Sequence, residues 1–135
     1  PSFVFSREEF IAGVPILEKL AEYDVCLIVL AGFMNKISDV ILQAFPGKIV
    51  NIHPALLPKY GGKGMYGMHV HEAVVKAGER ESGITIHYIN EHYDEGAIIF
   101  QASCPVLPSD TPEEVASKVH ALEYAHYPHV IESLL

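Results

Sequence analysis

The run Ile49-Val50-Asn51-Ile52-His53-Pro54 constrains this chain more than any other stretch. Ile49, Val50 and Ile52 read as a short buried strand. Pro54 ends it, because proline brings no backbone N–H and holds the residue before it in the extended region. Positions two apart in an extended chain point the same way, so Asn51 and His53 share one face at the strand's C-terminal end. An amide and an imidazole side by side can steady negative charge developing on an oxygen and can move a proton. The same pair also serves as a hydrogen-bonded turn device, and the residues alone leave both readings open.

The stretches before this strand alternate between helical and strand patterns. Ser6-Arg7-Glu8-Glu9 is a capping box, and Phe10, Val14, Leu17 and Ala21 recur at helical spacing behind it. Gly13 and Pro15 interrupt that spacing, which predicts either a kink or a short turn followed by a helix from Pro15 to Glu22. Val25 to Leu30 is a continuous apolar run, the pattern of a parallel strand buried on both faces. Ala31 to Lys36 follows at its carboxyl end, where ligands of open α/β sheets lie. An ordinary connecting loop, with Phe33 and Met34 in the core, fits those residues as well. Ser38 can cap a helix reaching about Ala44, and Pro46-Gly47 turns the chain into the Ile49 strand.

Beyond Pro58 the chain carries Gly61, Gly62, Gly64 and Gly67, a composition that predicts a flexible lid ordering on ligand binding. His69 and His71 could grip a metal together with His53 if the segment were extended. Val70 to Ala77, closed by Gly78, reads instead as a helix, on which residues two apart diverge, so a metal is disfavoured. From Gly83, Ile84, Ile86 and Tyr88 alternate with Thr85, His87 and Ile89, giving a two-faced strand. A helical crossover favours parallel pairing of this strand with the Asn51 strand, bringing the turn that holds Asp94 to the same edge as His53. Ala97 to Ser103 then forms an antiparallel partner. Thr111-Pro112-Glu113-Glu114 opens a helix to about Ala125, with Pro128 kinking or restarting it. Val115, Val119 and Leu122 form its buried stripe, and His120 and Glu123 lie together outside that stripe.

Composition narrows the classes. With 135 residues, half of them hydrophobic, the chain supports one core. A net charge of −8 with nine Lys and Arg disfavours a phosphate-backbone binder, including tRNA. The two cysteines, Cys26 and Cys104, have no framework spacing, which suits a reducing cytoplasm. The longest apolar stretch, Val25 to Met34, is about half of the ~20 residues a membrane helix needs.

The segment Asn-Ile-His-Pro-Ala-Leu-Leu-Pro-Lys-Tyr at 51–60, followed by Gly83 to Gly96, resembles the formyltransferase family that uses 10-formyltetrahydrofolate. The likeness is strongest to members whose acceptor is glycinamide ribonucleotide in purine biosynthesis, and it runs from about Ser6 to the C-terminus. It implies a single α/β domain over residues 1–135, with a Rossmann-like, mixed and mostly parallel sheet flanked by helices. It also implies one to two preceding βαβ units, whose glycine-rich turn cradles the substrate phosphate. No such turn occurs here, so the chain is expected to be a partial domain, holding the formyl-transfer half of the site.

The resemblance assigns catalysis to Asn51, His53 and Asp94. It assigns the folate site to Met34, Asn35, Lys36 and Ile37 and to Asn90, Glu91, His92 and Tyr93, and acceptor binding to Glu123 and His120. 10-Formyltetrahydrofolate enters as a formyl-donor substrate and no metal takes part. The acceptor amine attacks directly, without a covalent enzyme intermediate. A cytoplasmic monomer or homodimer acting on small molecules, with neither nucleic acid nor membrane as partner, is the corresponding expectation. The alternatives are a formyltetrahydrofolate hydrolase and a noncatalytic folate-binding fragment. A methionyl-tRNA formyltransferase would need a basic C-terminal domain, which is absent from this sequence.

Overall fold

The computed structural model describes residues 1–33, 36–90 and 96–135. The capping box of Ser6 opens α1 (Arg7–Ala12): the Ser6 hydroxyl accepts from the Glu9 amide at 3.1 Å, and the Glu9 carboxylate accepts from the Ser6 amide at 3.3 Å. Gly13 closes α1 and begins α2 (Val14–Glu22) in the left-handed region, φ 78°. A side chain there would be strained, and its Cβ would sit 2.0 Å from the Ser38 hydroxyl oxygen. The break is therefore a turn between two helices, not a kink within one.

Among the described residues four strands follow the order β1-β2-β3-β4: β1 (Ile28–Leu30), β2 (Ile49–His53), β3 (Glu81–Tyr88) and β4 (Ile98–Pro105). Helices α3 (Asp39–Ala44) and α4 (Met68–Lys76) flank β2 in sequence, and α5 (Pro112–Ser133) closes the chain. The sheet is mixed and flanked by helices, as the sequence implies. Parallel pairing, however, is confined to β1 and β2 among the described residues.

The parallel pairing of β3 with β2 inferred from the crossover is incorrect: they are antiparallel, with Asn51 opposite His87 and His53 opposite Thr85. The reason lies in the connection. Residues 54–57 stay beside β3, where the Leu57 amide donates to the Thr85 hydroxyl and that hydroxyl donates to the Ala55 carbonyl. After α4 the chain is still near that place, because Glu79 accepts from the Tyr60 hydroxyl at 3.0 Å. Strand β3 thus starts at the end where β2 stops, and no helix carries the chain back along the strand.

The apolar run at 25–30 yields only a three-residue edge strand: Val29 is 39% exposed and Cys26 is exposed, so burial on both faces is not realised. Helix α5 runs through Pro128 instead of stopping near Ala125. The hydrogen bond that proline removes would have gone to the carbonyl of exposed Tyr124, where water can replace it.

Among the described residues two clusters make the core. Ile52, Ile84 and Ile86 pack with Val74 of α4 and Val115, Val119 and Tyr127 of α5. Ile37, Ile41 and Ile49 pack with Phe10, Leu20 and Phe33 around α1 to α3. Among the described residues no helix is long and apolar enough to cross a membrane.

Candidate functional site

With Ile52, Ile84 and Ile86 committed to the core, the opposite phase of β2 and β3 carries Asn51, His53, Thr85 and His87. All four are buried, His87 and Thr85 completely, and a polar set at this depth must be hydrogen-bonded or costs free energy. The His87 Nδ1 donates to the Tyr88 carbonyl at 3.1 Å, so in the neutral ring Nε2 is the acceptor, and it faces the Asn51 amide nitrogen at 3.4 Å. That contact fixes which way the Asn51 amide points. Its Oδ1 is buried and has no hydrogen-bond partner among the described residues.

His53 Nε2 lies 2.6 Å from the Tyr60 carbonyl oxygen. A carbonyl only accepts, so Nε2 carries the proton. Both side chains line a cleft of about 830 Å³ at the end of β2. Leu30 at the end of β1 and Phe33 just beyond it form one wall, loop residues 62–67 a second, and Ile89 and Asn90 a third. Helix α5 contributes His120, Glu123, Tyr124 and Tyr127, and the Tyr127 hydroxyl donates to the Leu30 carbonyl at 2.6 Å, tying that helix to the end of β1.

The charges in the cleft influence one another. Burial raises the Glu123 carboxyl above its ordinary range, and nearby His120 opposes that shift. Burial lowers the pKa of His71, and the charges of His120 and His53 lower it further. Tyr127 is raised by burial and then by Glu123.

Of the residues the resemblance singles out, Asn51, His53, Lys36, Ile37, Asn90, His120 and Glu123 all line this one cleft. Asp94, Met34, Asn35, Glu91, His92 and Tyr93 lie outside the described residues. His69 and His71 do diverge on α4: His71 is buried and lines the cleft, whereas exposed His69 turns toward Glu72 at 4.0 Å. Among the described residues no three metal-ligating side chains converge. Sequence reasoning missed His87 and Tyr127. The first was detectable, since it shares the phase of Thr85; the second was not, because its partner is 97 residues away.

The formyl transferase family model matches residues 6–131. Phosphoribosylglycinamide formyltransferase, chloroplastic, of Arabidopsis thaliana is 46% identical over 119 residues, covering 88% of this chain and 41% of its own length. The Bacillus subtilis phosphoribosylglycinamide formyltransferase is 40% identical over 139 residues, covering all of this chain and 69% of its own. Glycinamide ribonucleotide transformylase 1 from Geobacillus kaustophilus superposes with a TM-score of 0.89 at 37% identity, over all of this chain and 71% of that one. The chain spans 41% of the Arabidopsis relative and 62% of the one from Haemophilus influenzae. The likeness takes in both the sheet that buries Asn51 and His53 and the helix that faces them, and on that ground the chain belongs to the formyl transferase family.

Proposed function

We propose that this chain carries the formyl-transfer site of an enzyme that moves a formyl group from 10-formyltetrahydrofolate to the primary amine of glycinamide ribonucleotide. The observation that carries the reading is the pairing of Asn51 and His53 at one buried strand end, open to a cleft that Glu123 also lines. The names of the relatives supply the acceptor and the formyl group, 10-formyltetrahydrofolate as donor is what the sequence resemblance implies, and the chemistry of the cleft suits both.

The acceptor amine attacks the formyl carbon, and the carbonyl oxygen takes up negative charge. One N–H of the Asn51 amide and the protonated His53 imidazole stabilise that charge where it accumulates. The Asn51 Oδ1, which has no partner among the described residues, suits a ligand that brings an N–H, as an amine does. Collapse of the tetrahedral intermediate breaks the bond to the folate nitrogen, which leaves with the proton that the attacking amine gives up. Asp94, as the resemblance implies, assists that proton's passage beside His53. Lys36, Ile37 and Asn90 border the folate, and Glu123 and His120 receive the acceptor. Neither cysteine is suited to a covalent intermediate: Cys104 is buried with a raised pKa, and neither Cys104 nor exposed Cys26 lines the cleft.

The test is formation of formylglycinamide ribonucleotide, followed by mass spectrometry, with the parent chain and with Asn51→Ala and His53→Ala. Each substitution is expected to lower the rate by about 10²- to 10⁴-fold. Release of formate without the acceptor, at the rate seen with it, would make the protein a hydrolase. Binding of folate with no turnover by the parent would make it a noncatalytic module.

A further inference from the structure

We infer that Tyr60 and Glu79 are positioning residues that fix the tautomer of His53, through the backbone carbonyl of Tyr60. Tyr60 is one of two non-glycine residues with positive φ among the described residues, at 57°, a conformation that L-residues avoid and that persists only where surroundings hold it. Its own side chain provides the hold: the hydroxyl donates to a Glu79 carboxylate oxygen at 3.0 Å, and the ring packs against the core cluster of Ile52, Ile84 and Ile86. Lys59 places its ammonium 3.5 Å from the same Glu79 oxygen. Glu79 lies three residues past the end of α4, and its amide donates to the Val74 carbonyl of that helix at 3.3 Å, so the helix end anchors the loop.

The outcome of this geometry is a carbonyl aimed at His53 Nε2 from 2.6 Å. Since that carbonyl can only accept, it keeps the proton on Nε2 and makes Nδ1 the ring nitrogen where a proton is gained or lost. With Nε2–H held by that carbonyl, Nδ1 is the nitrogen that takes up the second proton, and from there the imidazolium donates to the developing oxyanion. The inference rests on the formyl-transfer reading only for its effect on rate; the tautomer itself is a property of the resting protein.

The experiment is ¹⁵N NMR of the histidine ring nitrogens in the parent chain, with the His53 signals identified by their loss in His53→Ala. The parent is expected to show His53 protonated on Nε2. Tyr60→Phe and Glu79→Ala are expected to show a mixture of tautomers, and a kcat lower by about three- to tenfold with KM changed by less than about twofold, the size of effect that follows from loosening one hydrogen bond. Glu79→Gln still offers an acceptor to the Tyr60 hydroxyl and should restore the parental pattern. The inference is overturned if His53 carries its proton on Nδ1 in the parent, if both disruptive variants keep the parental spectrum, or if Glu79→Gln fares no better than Glu79→Ala. An active His53→Ala would sink the functional reading instead, while the nitrogen spectra would still decide the positioning role.

Discussion

Thr85 is the hinge between fold and site, and replacing it with valine tests that directly. Its side chain is fully buried opposite His53, and its hydroxyl is used to capacity. It donates to the Ala55 carbonyl at 2.7 Å and accepts from the Leu57 amide at 3.0 Å and the Gln101 amide at 2.9 Å. Valine keeps the shape and removes all three bonds. Gln101 retains a partner in the Leu57 carbonyl, but the Leu57 N–H and the Ala55 carbonyl are left without this one, at residues 6% and 0% exposed. Each orphaned buried group costs about 1–3 kcal/mol, and the added apolar burial returns about 1 kcal/mol, so the net loss is about 3 kcal/mol. With a urea m-value of about 2 kcal/mol/M, the unfolding midpoint should fall by about 1.5 M. Thr85→Ser keeps the hydroxyl and gives up one buried methyl, a loss of about 1 kcal/mol, so its midpoint should lie between the parent's and the valine variant's. A valine variant within about 0.3 M of the parent, or a serine variant less stable than the valine one, would refute the claim that this hydroxyl holds residues 54–57 in place.

Other consequences follow from the same geometry. Gly83→Ala would put a Cβ 2.0 Å from the Ala102 carbonyl oxygen and 2.8 Å from Leu56, so β3 and β4 must separate locally. Urea unfolding should show a loss of about 1–3 kcal/mol, and a neutral outcome would contradict the close approach. His71 is buried with a lowered pKa, so the unfolded chain takes up a proton as pH falls below the usual histidine value of about 6.5, while the folded protein resists. Stability contributed by neutral His71 is therefore complete above that pH and is lost toward its lower folded pKa. Urea midpoints at pH 7.5 and 5.5 should differ less in His71→Asn than in the parent, and an equal difference would remove His71 from the account. Asp110 accepts from the Leu107 amide at 2.9 Å and from the Lys118 ammonium, and its pKa is lowered chiefly by the Lys118 bond. Its contribution is present above the unfolded carboxyl value near 3.9 and declines as pH falls through the folded one, so Asp110→Asn should flatten the acid limb of thermal unfolding.

Local rules made several features legible before any coordinates. Capping chemistry at Ser6 and Thr111 places two helix starts because the hydroxyl and the amide it serves are three residues apart. Two-residue alternation assigns Ile84 and Ile86 to the core and Thr85 and His87 to the other face, and the same rule puts Asn51 beside His53. The motif at 51–60 pointed to the family because it combines unusual residues at fixed spacing. Tertiary structure decided what depends on distant partners. The direction of β3 followed from residues 54–57 staying beside Thr85, a contact made by hydrogen bonds between residues distant in the chain. Burial of β1 depended on having a strand on each side, and among the described residues it pairs only with β2. The hold of Tyr127 on Leu30 and the use of the Tyr60 carbonyl to orient His53 required the folded chain. Periodicity and caps act within a few residues, whereas strand direction, burial and proton placement are set by groups that meet only once the chain has closed on itself.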